Sequence, residues 1–430
     1  MSREIKLNVP FITRVEGEGA LQLSAKGDEI ESLQLQIFEP PRLFERFLQG
    51  KPHTDVADLS ARICGICPMA YQLTSILAME SLFEIELPDH IVDLRLLMNL
   101  GEWLQSHALH IHFLAMPDFY GYDSAVQMAA KHGDLLTRGM QIQEAGNTLM
   151  RLLGGRSVHP IGLQVGGFAA LPDKGAWQHA RQLVNDAIPA AIQLLQWTAE
   201  LPIPDHSQDF TYVSLLGEDS YPINGGNIAC SNGLTITAQQ YPQHFKEHHV
   251  SHSTALYSLV DGQDYLVGPL ARVNNNYRTI PEHIRHLAEQ CGLEFPNMNM
   301  FTSIQARALE CLWALFEAQQ MLQYDVPKGQ AHVPYKVREG ECSFCTEAPR
   351  GLIFHHYELE QDGTVAKCTI IPPTSQNQAR IEQDLKQSVK QYGLHHSDNE
   401  LKLFCEQVIR NYDPCISCST HFLDFTITRQ

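Results

Sequence analysis

Apolar and polar positions change rhythm several times along this chain, and each change marks an element. Over residues 3–38 they alternate closely enough for strands, with a turn at Gly27-Asp28 between Leu21-Gln22-Leu23 and Leu33-Gln34-Leu35-Gln36-Ile37. From Pro68 to Glu86 the side chains of Leu73, Ile76, Leu77 and Met79 recur at helical spacing, just after a close pair of cysteines. Leu94, Leu97, Met98, Trp103 and Leu104 keep the same spacing and predict a helix over 90–116. Further helices are predicted over 124–153, stopping at Gly154-Gly155, and over 174–200, with a loop rich in Gly and Pro at 156–172. Between Pro202 and Pro281 the texture turns to Gly, Asn, Pro and short alternating runs. Leu234-Thr235-Ile236-Thr237 and Tyr265-Leu266-Val267 read there as strands. Helices resume over 280–291 and 302–324, a hairpin turns at Asp362-Gly363 within 352–371, and helices follow over 377–392 and 398–411.

These elements predict a mainly α chain with β patches, an α+β architecture. Its segments are a β-rich start (1–60), a helical core holding the first cysteine pair (61–201), a β-rich insertion (202–280) and a helical C-terminal part with a late hairpin and a second cysteine pair (281–421). At 430 residues the chain exceeds the roughly 100–200 of an ordinary single domain. Charged residues make up 19%, below the usual ~25%, so a large area is expected to be buried in the fold or under a partner. Thirty-one Lys and Arg against 49 Asp and Glu leave a net charge of −18, which repels phosphate backbones and argues against nucleic acid. No run approaches the ~18 apolar residues of a membrane span, and Met1 to Pro10 has no apolar signal core. Eleven cysteines without such a signal suggest a reducing, cytoplasmic setting, with thiols left for metal or redox work.

The strongest chemical signal is a Cys-x-x-Cys pair near each end: Arg62-Ile63-Cys64-Gly65-Ile66-Cys67-Pro68 and Asp413-Pro414-Cys415-Ile416-Ser417-Cys418-Ser419-Thr420-His421. Two intervening residues let both sulfurs of a pair reach one ion, and a helix start or a metal lowers thiol pKa to give the ligating thiolate. Four thiolates suit zinc, iron–sulfur or another soft-ligand metal. Structural zinc usually staples pairs about 15–20 residues apart, whereas nearly the whole chain separates these.

Both motifs resemble the signatures of the large subunit of nickel–iron hydrogenases. So do Arg14-Val15-Glu16-Gly17, Phe44-Glu45, His159-Pro160 with Val165-Gly166-Gly167, and Glu347-Ala348-Pro349-Arg350-Gly351. The wording around Ser106-His107-Ala108-Leu109-His110 is most similar to the NAD(P)-linked, sulfhydrogenase-type α subunits. The resemblance implies a long central helix bundle whose metal site is clasped by both chain ends. It implies nickel on Cys64, Cys67, Cys415 and Cys418, with Cys67 and Cys418 shared with an iron carrying carbonyl and cyanide. Cys415 would take the proton as dihydrogen splits heterolytically, and Glu16 would pass it outward. Arg350 would stand above the metals, helped by Asp118 and Asp413. Pro349 would line the cofactor, and Thr374 or its neighbour Ser375 would hydrogen-bond a cyanide. Glu45 and His421 would hold magnesium.

Without the family around them these residues read more plainly: Glu16 as a strand-end charge, Arg350 as a surface arginine, Asp118 as a helix-terminal turn residue, Glu45 as a solvated helix charge. His107 and His110, three apart, read as packing and hydrogen bonding, and Cys342 and Cys345 as small apolar residues rather than a redox or metal pair. No ferredoxin-type cysteine run and no Gly-x-Gly-x-x-Gly stand in the sequence. Electrons are therefore expected to leave through a separate subunit, which the resemblance implies is an iron–sulfur small subunit with flavin-bearing diaphorase subunits beyond it. A maturation chaperone and a protease removing 422–430 are implied as further partners. A hydrogen sensor, a deazaflavin- or heterodisulfide-reductase-linked hydrogenase, and a non-catalytic complex I-like subunit are the alternatives.

Overall fold

The computed structural model describes residues 4–420. The N-terminal alternation becomes an antiparallel meander of β1 (Glu4–Val9), β2 (Gly19–Lys26) and β3 (Glu29–Ile37). Its register sets Leu7 opposite Leu23 and Leu21 opposite Leu35, burying one face and leaving Lys6 and Gln22 outside. Two short helices follow that the β-rich reading of 1–60 did not anticipate, α1 (Phe44–Leu48) and α2 (His53–Ala61).

The helical core then runs through α3 (Pro68–Phe83), α4 (Asp89–Leu109), a π-helical turn (His110–Ala115), α5 (Met116–Tyr120) and α6 (Ala125–Gly154). After short strands β4 (Leu163–Gln164) and β5 (Gly167–Phe168) comes α7 (Lys174–Ala199). Pro68 takes the first position of α3, where its missing N–H is no loss. The Ser124 side chain accepts the Gln127 amide to open α6, and Gly155 closes it at φ 75°. α4 and α6 cross where Gly101 meets Gly146; a Cβ on Gly146 would lie 2.5 Å from the Gly101 carbonyl oxygen.

The middle segment carries β6 (Thr211–Leu216), β7 (Asn227–Cys230), β8 (Thr235–Ile236), α8 (Tyr241–His244), β9 (Phe245–His249), β10 (Leu256–Val260), β11 (Tyr265–Leu266) and α9 (Pro269–Asn276). One sheet has the order β11-β6-β7-β8, and β9 pairs with β10. There follow α10 (Glu282–Gln290), α11 (Ser303–Leu322), β12 (Gly340–Ala348), β13 (Gly351–Leu359), β14 (Val365–Ile371), α12 (Pro373–Tyr392) and α13 (Asp398–Asn411). The hairpin expected over 352–371 is β13–β14, but β12 extends it to three strands. β12 escapes the period-two reading because both its faces are buried. Val213, Leu215 and Phe245 pack against Leu352 and Phe354 of β13, so the middle segment shares a core with the late sheet. The larger core joins α3, α4, α7 and α11, and no helix among the described residues is long and apolar enough to cross a membrane.

Candidate metal centre

The first cysteine loop forms as α2 ends. Tight turns bring Cys64 round, and its sulfur accepts the amides of Ile66 and Cys67 at 3.3 and 3.1 Å before α3 begins. The second loop leaves α13 through Asp413, held at φ 51°, a conformation a short polar side chain tolerates. Thr374, in the first turn of α12, accepts the Cys415 amide on its Oγ1 at 2.9 Å. A parallel bridge joins the backbones of Glu16 and Cys415. The two loops thus bring the sulfurs of Cys64, Cys67, Cys415 and Cys418 within 4.8 Å of one another, all buried. Separations are 2.8 Å for Cys64–Cys67, 2.7 Å for Cys415–Cys418 and 3.5 Å for Cys64–Cys415. No cysteine among the described residues is in a disulfide.

Burial pushes these thiols up, and Cys415 and Cys418 stay raised. At Cys64 burial is outweighed by hydrogen bonds from Cys415, Cys418 and Cys67 and by the Arg350 charge, so its thiol sits well below the ordinary value. Four buried sulfurs within reach of one another fit a soft-ligand ion by donor chemistry.

Arg350 occupies the two-residue turn between β12 and β13, where Ala348 pairs with Gly351. Its Nε donates to the Asp413 carbonyl at 2.8 Å and its Nη2 to Asp413 Oδ1 at 3.1 Å. Nη1 is buried with no hydrogen-bond partner, a donor left over for a group held by the sulfurs. Burial works against the charge, but Asp413 and the sulfurs of Cys415, Cys67 and Cys64 keep the guanidinium firmly protonated. The turn itself is held by Arg272, which donates to the carbonyls of Ala348 (2.7 Å) and Pro349 (2.8 Å) and to Glu347 (3.0 Å). Arg272 also forks onto Glu310 at 2.8 and 2.9 Å. Against burial, that guanidinium holds the Glu310 carboxyl down at about 2.

Glu16 is half-buried and accepts both the amide and the hydroxyl of Ser417, between the last two cysteines. Asp118, expected to help Arg350, makes its hydrogen bonds to other arginines. It pairs with Arg410 at 2.7 and 2.8 Å and with Arg14. Glu45 is buried and accepts the Ile370 amide at 2.7 Å; its expected companion His421 and the segment 422–430 lie outside the described residues. Glu247, missed in the sequence, is half-buried within electrostatic reach of Glu45, and desolvation followed by that neighbour pushes its carboxyl up to about 8. The Ser375 hydroxyl is turned to the Pro372 carbonyl, which leaves Thr374 as the hydroxyl beside Cys415.

Arg42 was also missed. Its Nη2 donates to the Ile63 carbonyl at 2.7 Å and to the Ser417 carbonyl, and its amide donates to Thr420 at 2.7 Å. One exposed arginine thus straps both cysteine loops from outside. His107 bonds Glu310 at 2.9 Å and His110 donates to the Arg410 carbonyl at 2.8 Å, the packing role read for them. Cys342 and Cys345, three apart on β12, face opposite sides of the sheet and join different cores. His159, at φ 48°, bonds the Ala61 carbonyl beside the first cysteine loop.

The family model for nickel-dependent hydrogenases matches residues 42–140 and 233–421. Over 423 residues the chain is 30% identical to the sulfhydrogenase 1 subunit alpha of Pyrococcus furiosus, covering 97% of this chain and 98% of that one. It is 31% identical to the sulfhydrogenase 2 subunit alpha of the same organism over 415 residues, with coverage of 96% and 98%. In fold it resembles an NAD+-reducing NiFe hydrogenase solved in the H2-reduced state, with a TM-score of 0.86, 24% identity and coverage of 97% and 99%. Both cysteine loops fall inside the matched blocks, and the chain belongs to the nickel-dependent hydrogenase family, as a large subunit.

Proposed function

We propose that this large subunit splits dihydrogen reversibly and passes the electrons through an iron–sulfur small subunit, and flavin-bearing subunits beyond it, to NAD(P). The observation that carries the reading is the buried four-sulfur site beneath Arg350, whose Nη1 has no other partner. Nickel on Cys64, Cys67, Cys415 and Cys418, with an iron sharing Cys67 and Cys418 and bearing carbonyl and cyanide, would supply a soft, electron-rich pair at which dihydrogen is polarised. Cys415 takes the proton. Glu16, bridged to the Cys415 backbone and anchored on Ser417, is the carboxylate that carries it outward. Arg350, oriented by Asp413, holds positive charge over the site, and the walls exclude water so that this charge acts at close to full strength. Thr374 accepts from Cys415 through its oxygen and so keeps its own hydrogen to donate to a cyanide nitrogen, with Pro349 lining the same wall. Glu45, buried, and Glu247, half-buried beside it, suit a magnesium ion completed by His421.

The partner subunit fits an apolar rim around the cysteine loops. Leu43 (39% exposed) and Phe47 (51%) follow Arg42, while Val158 (47%) and Ile161 (63%) stand on either side of His159 in the chain. The P. furiosus relatives are themselves named as alpha subunits. A cytoplasmic setting suits eleven cysteines of which none described is in a disulfide.

The test is anaerobic purification with partner subunits after co-production with maturation proteins. Nickel and iron in equal amounts, infrared bands of carbonyl and cyanide, and hydrogen-dependent reduction of NAD+ or NADP+ are expected. Zinc in the site with no such bands would sink the metal assignment. Dye reduction without reduction of either nucleotide would sink the acceptor alone.

A further inference from the structure

Glu102 is a charged residue with no part in the chemistry above, yet it is fully buried on α4, directly behind the first cysteine loop. Its Oε2 accepts the Met69 amide at 2.6 Å and its Oε1 the Ala70 amide at 3.1 Å. Those are the second and third residues of α3, the helix that begins immediately after Cys67. The first amides of a helix have no partner within it, and here a side chain from another helix takes two of them.

We propose that Glu102 is an ionised carboxylate that pins the start of α3 and sets the electron density on the metals held by Cys64 and Cys67. The geometry favours the charged form. Both oxygens accept an N–H, and two amide donors aimed at one carboxyl bind the anion more strongly than the neutral acid. The positive end of α3 favours the anion as well. Burial works in the other direction and, with the charge on Cys64, pushes the carboxyl up, opposed by the Met69 and Ala70 amides and by Arg350.

A fixed negative charge in a dry interior, within reach of Cys64, acts on whatever that sulfur binds. It makes the thiolates better donors, lowers the reduction potential of the bound metals and strengthens their hold on a cation. It also cancels the pull of the α3 N-terminus, which would otherwise draw electron density off Cys67. Glu102 is therefore a positioning and tuning residue, and it touches neither the metals nor the substrate.

The inference rests on the nickel–iron reading for its catalytic consequence but not for its electrostatics, so two measurements separate the failures. In the loaded complex, Glu102→Gln is expected to keep nickel and iron, move the carbonyl band to higher wavenumber and raise the midpoint potential. Glu102→Asp, which keeps the charge, is expected to stay near the wild-type values. In the metal-free chain, cobalt(II) binding followed by its thiolate-to-metal absorption should weaken roughly tenfold in Glu102→Gln and much less in Glu102→Asp. This second assay needs no maturation and serves if Glu102→Gln fails to load. Unshifted bands, potential and cobalt affinity in a loaded, folded Glu102→Gln protein would overturn the proposal. So would equal shifts in the two variants, which would reduce Glu102 to a packing role.

Discussion

Two arginines reach the site in different ways, and their variants should fail differently. Arg350 spends Nε and Nη2 on Asp413 and keeps Nη1 for the centre, a division a lysine cannot make. Arg350→Lys is expected to retain nickel and lose hydrogen uptake by about 10²–10³-fold, the usual range for a preorganised electrostatic donor. Metal analysis beside an activity assay checks both halves, and lost nickel would make Arg350 structural. Arg42 acts on the scaffold: Arg42→Ala removes the strap between the Ile63 and Ser417 carbonyls. That protein should load less nickel and release it faster to a chelator, while the loaded fraction keeps its carbonyl band. Sequence reading finds the cysteines because their spacing is local and chemically selective. It does not find Arg42, whose partners are two backbone carbonyls that carry no residue identity. Nor does it give the partners of Asp118, because Arg14 and Arg410 stand 104 and 292 positions away along the chain.

At the scale of elements, the amphipathic helices were legible and their contacts were not. The predicted helices over 124–153 and 174–200 correspond to Ala125–Gly154 and Lys174–Ala199, where caps and periodicity agree. β12 was invisible because Gly340–Ala348 is buried on both faces and has no alternation, and α1 is too short to show a period. Nor does any pattern announce that α4 and α6 touch backbone to backbone. Gly101 and Gly146 are ordinary helix glycines until a Cβ is placed on either, which then meets the other's carbonyl oxygen at 2.8 or 2.5 Å. Gly146→Ala is accordingly expected to destabilise by about 1–3 kcal/mol through overpacking, although alanine is the better helix former. Gly133→Ala, on the same helix with nothing within 4 Å, is the control and should be neutral or mildly stabilising. Equal urea midpoints for the two variants would show that the crossing tolerates a wider spacing.

The molecule as a whole brings its two cysteine loops together at one buried four-sulfur site, and burying that site takes with it many titratable side chains. That commits the fold to particular protonation states. His110 and His112, on the π-helical turn that carries the chain from α4 to α5, are both held neutral. Burial, aided by Arg307 near His110 and Arg138 near His112, lowers each to about 3 from the ordinary 6.5. A histidine depressed in the folded state takes up its proton on unfolding, so its contribution to stability is complete above pH 6.5 and drains away as pH falls towards 3. Glu247 and Glu347 run the opposite way. Burial lifts them to about 8 and about 7, so they favour the fold below the ordinary carboxylate value and lose that contribution as pH rises through the raised ones. A bare pH profile would mix the two trends, whereas a comparison of variants removes the shared part. In His112→Gln the titrating ring is replaced by a neutral side chain that can still donate to the Ala108 carbonyl, as the His112 ring does at 3.0 Å. Between about pH 6 and 4 the metal-free variant should lose stability less steeply than wild type, by about 1.4 kcal/mol per pH unit. Urea midpoints across that range measure the difference. Parallel profiles would mean that His112 takes up a proton inside the folded protein, against the hydrogen bond that its Nε2 accepts from Arg138 at 3.3 Å.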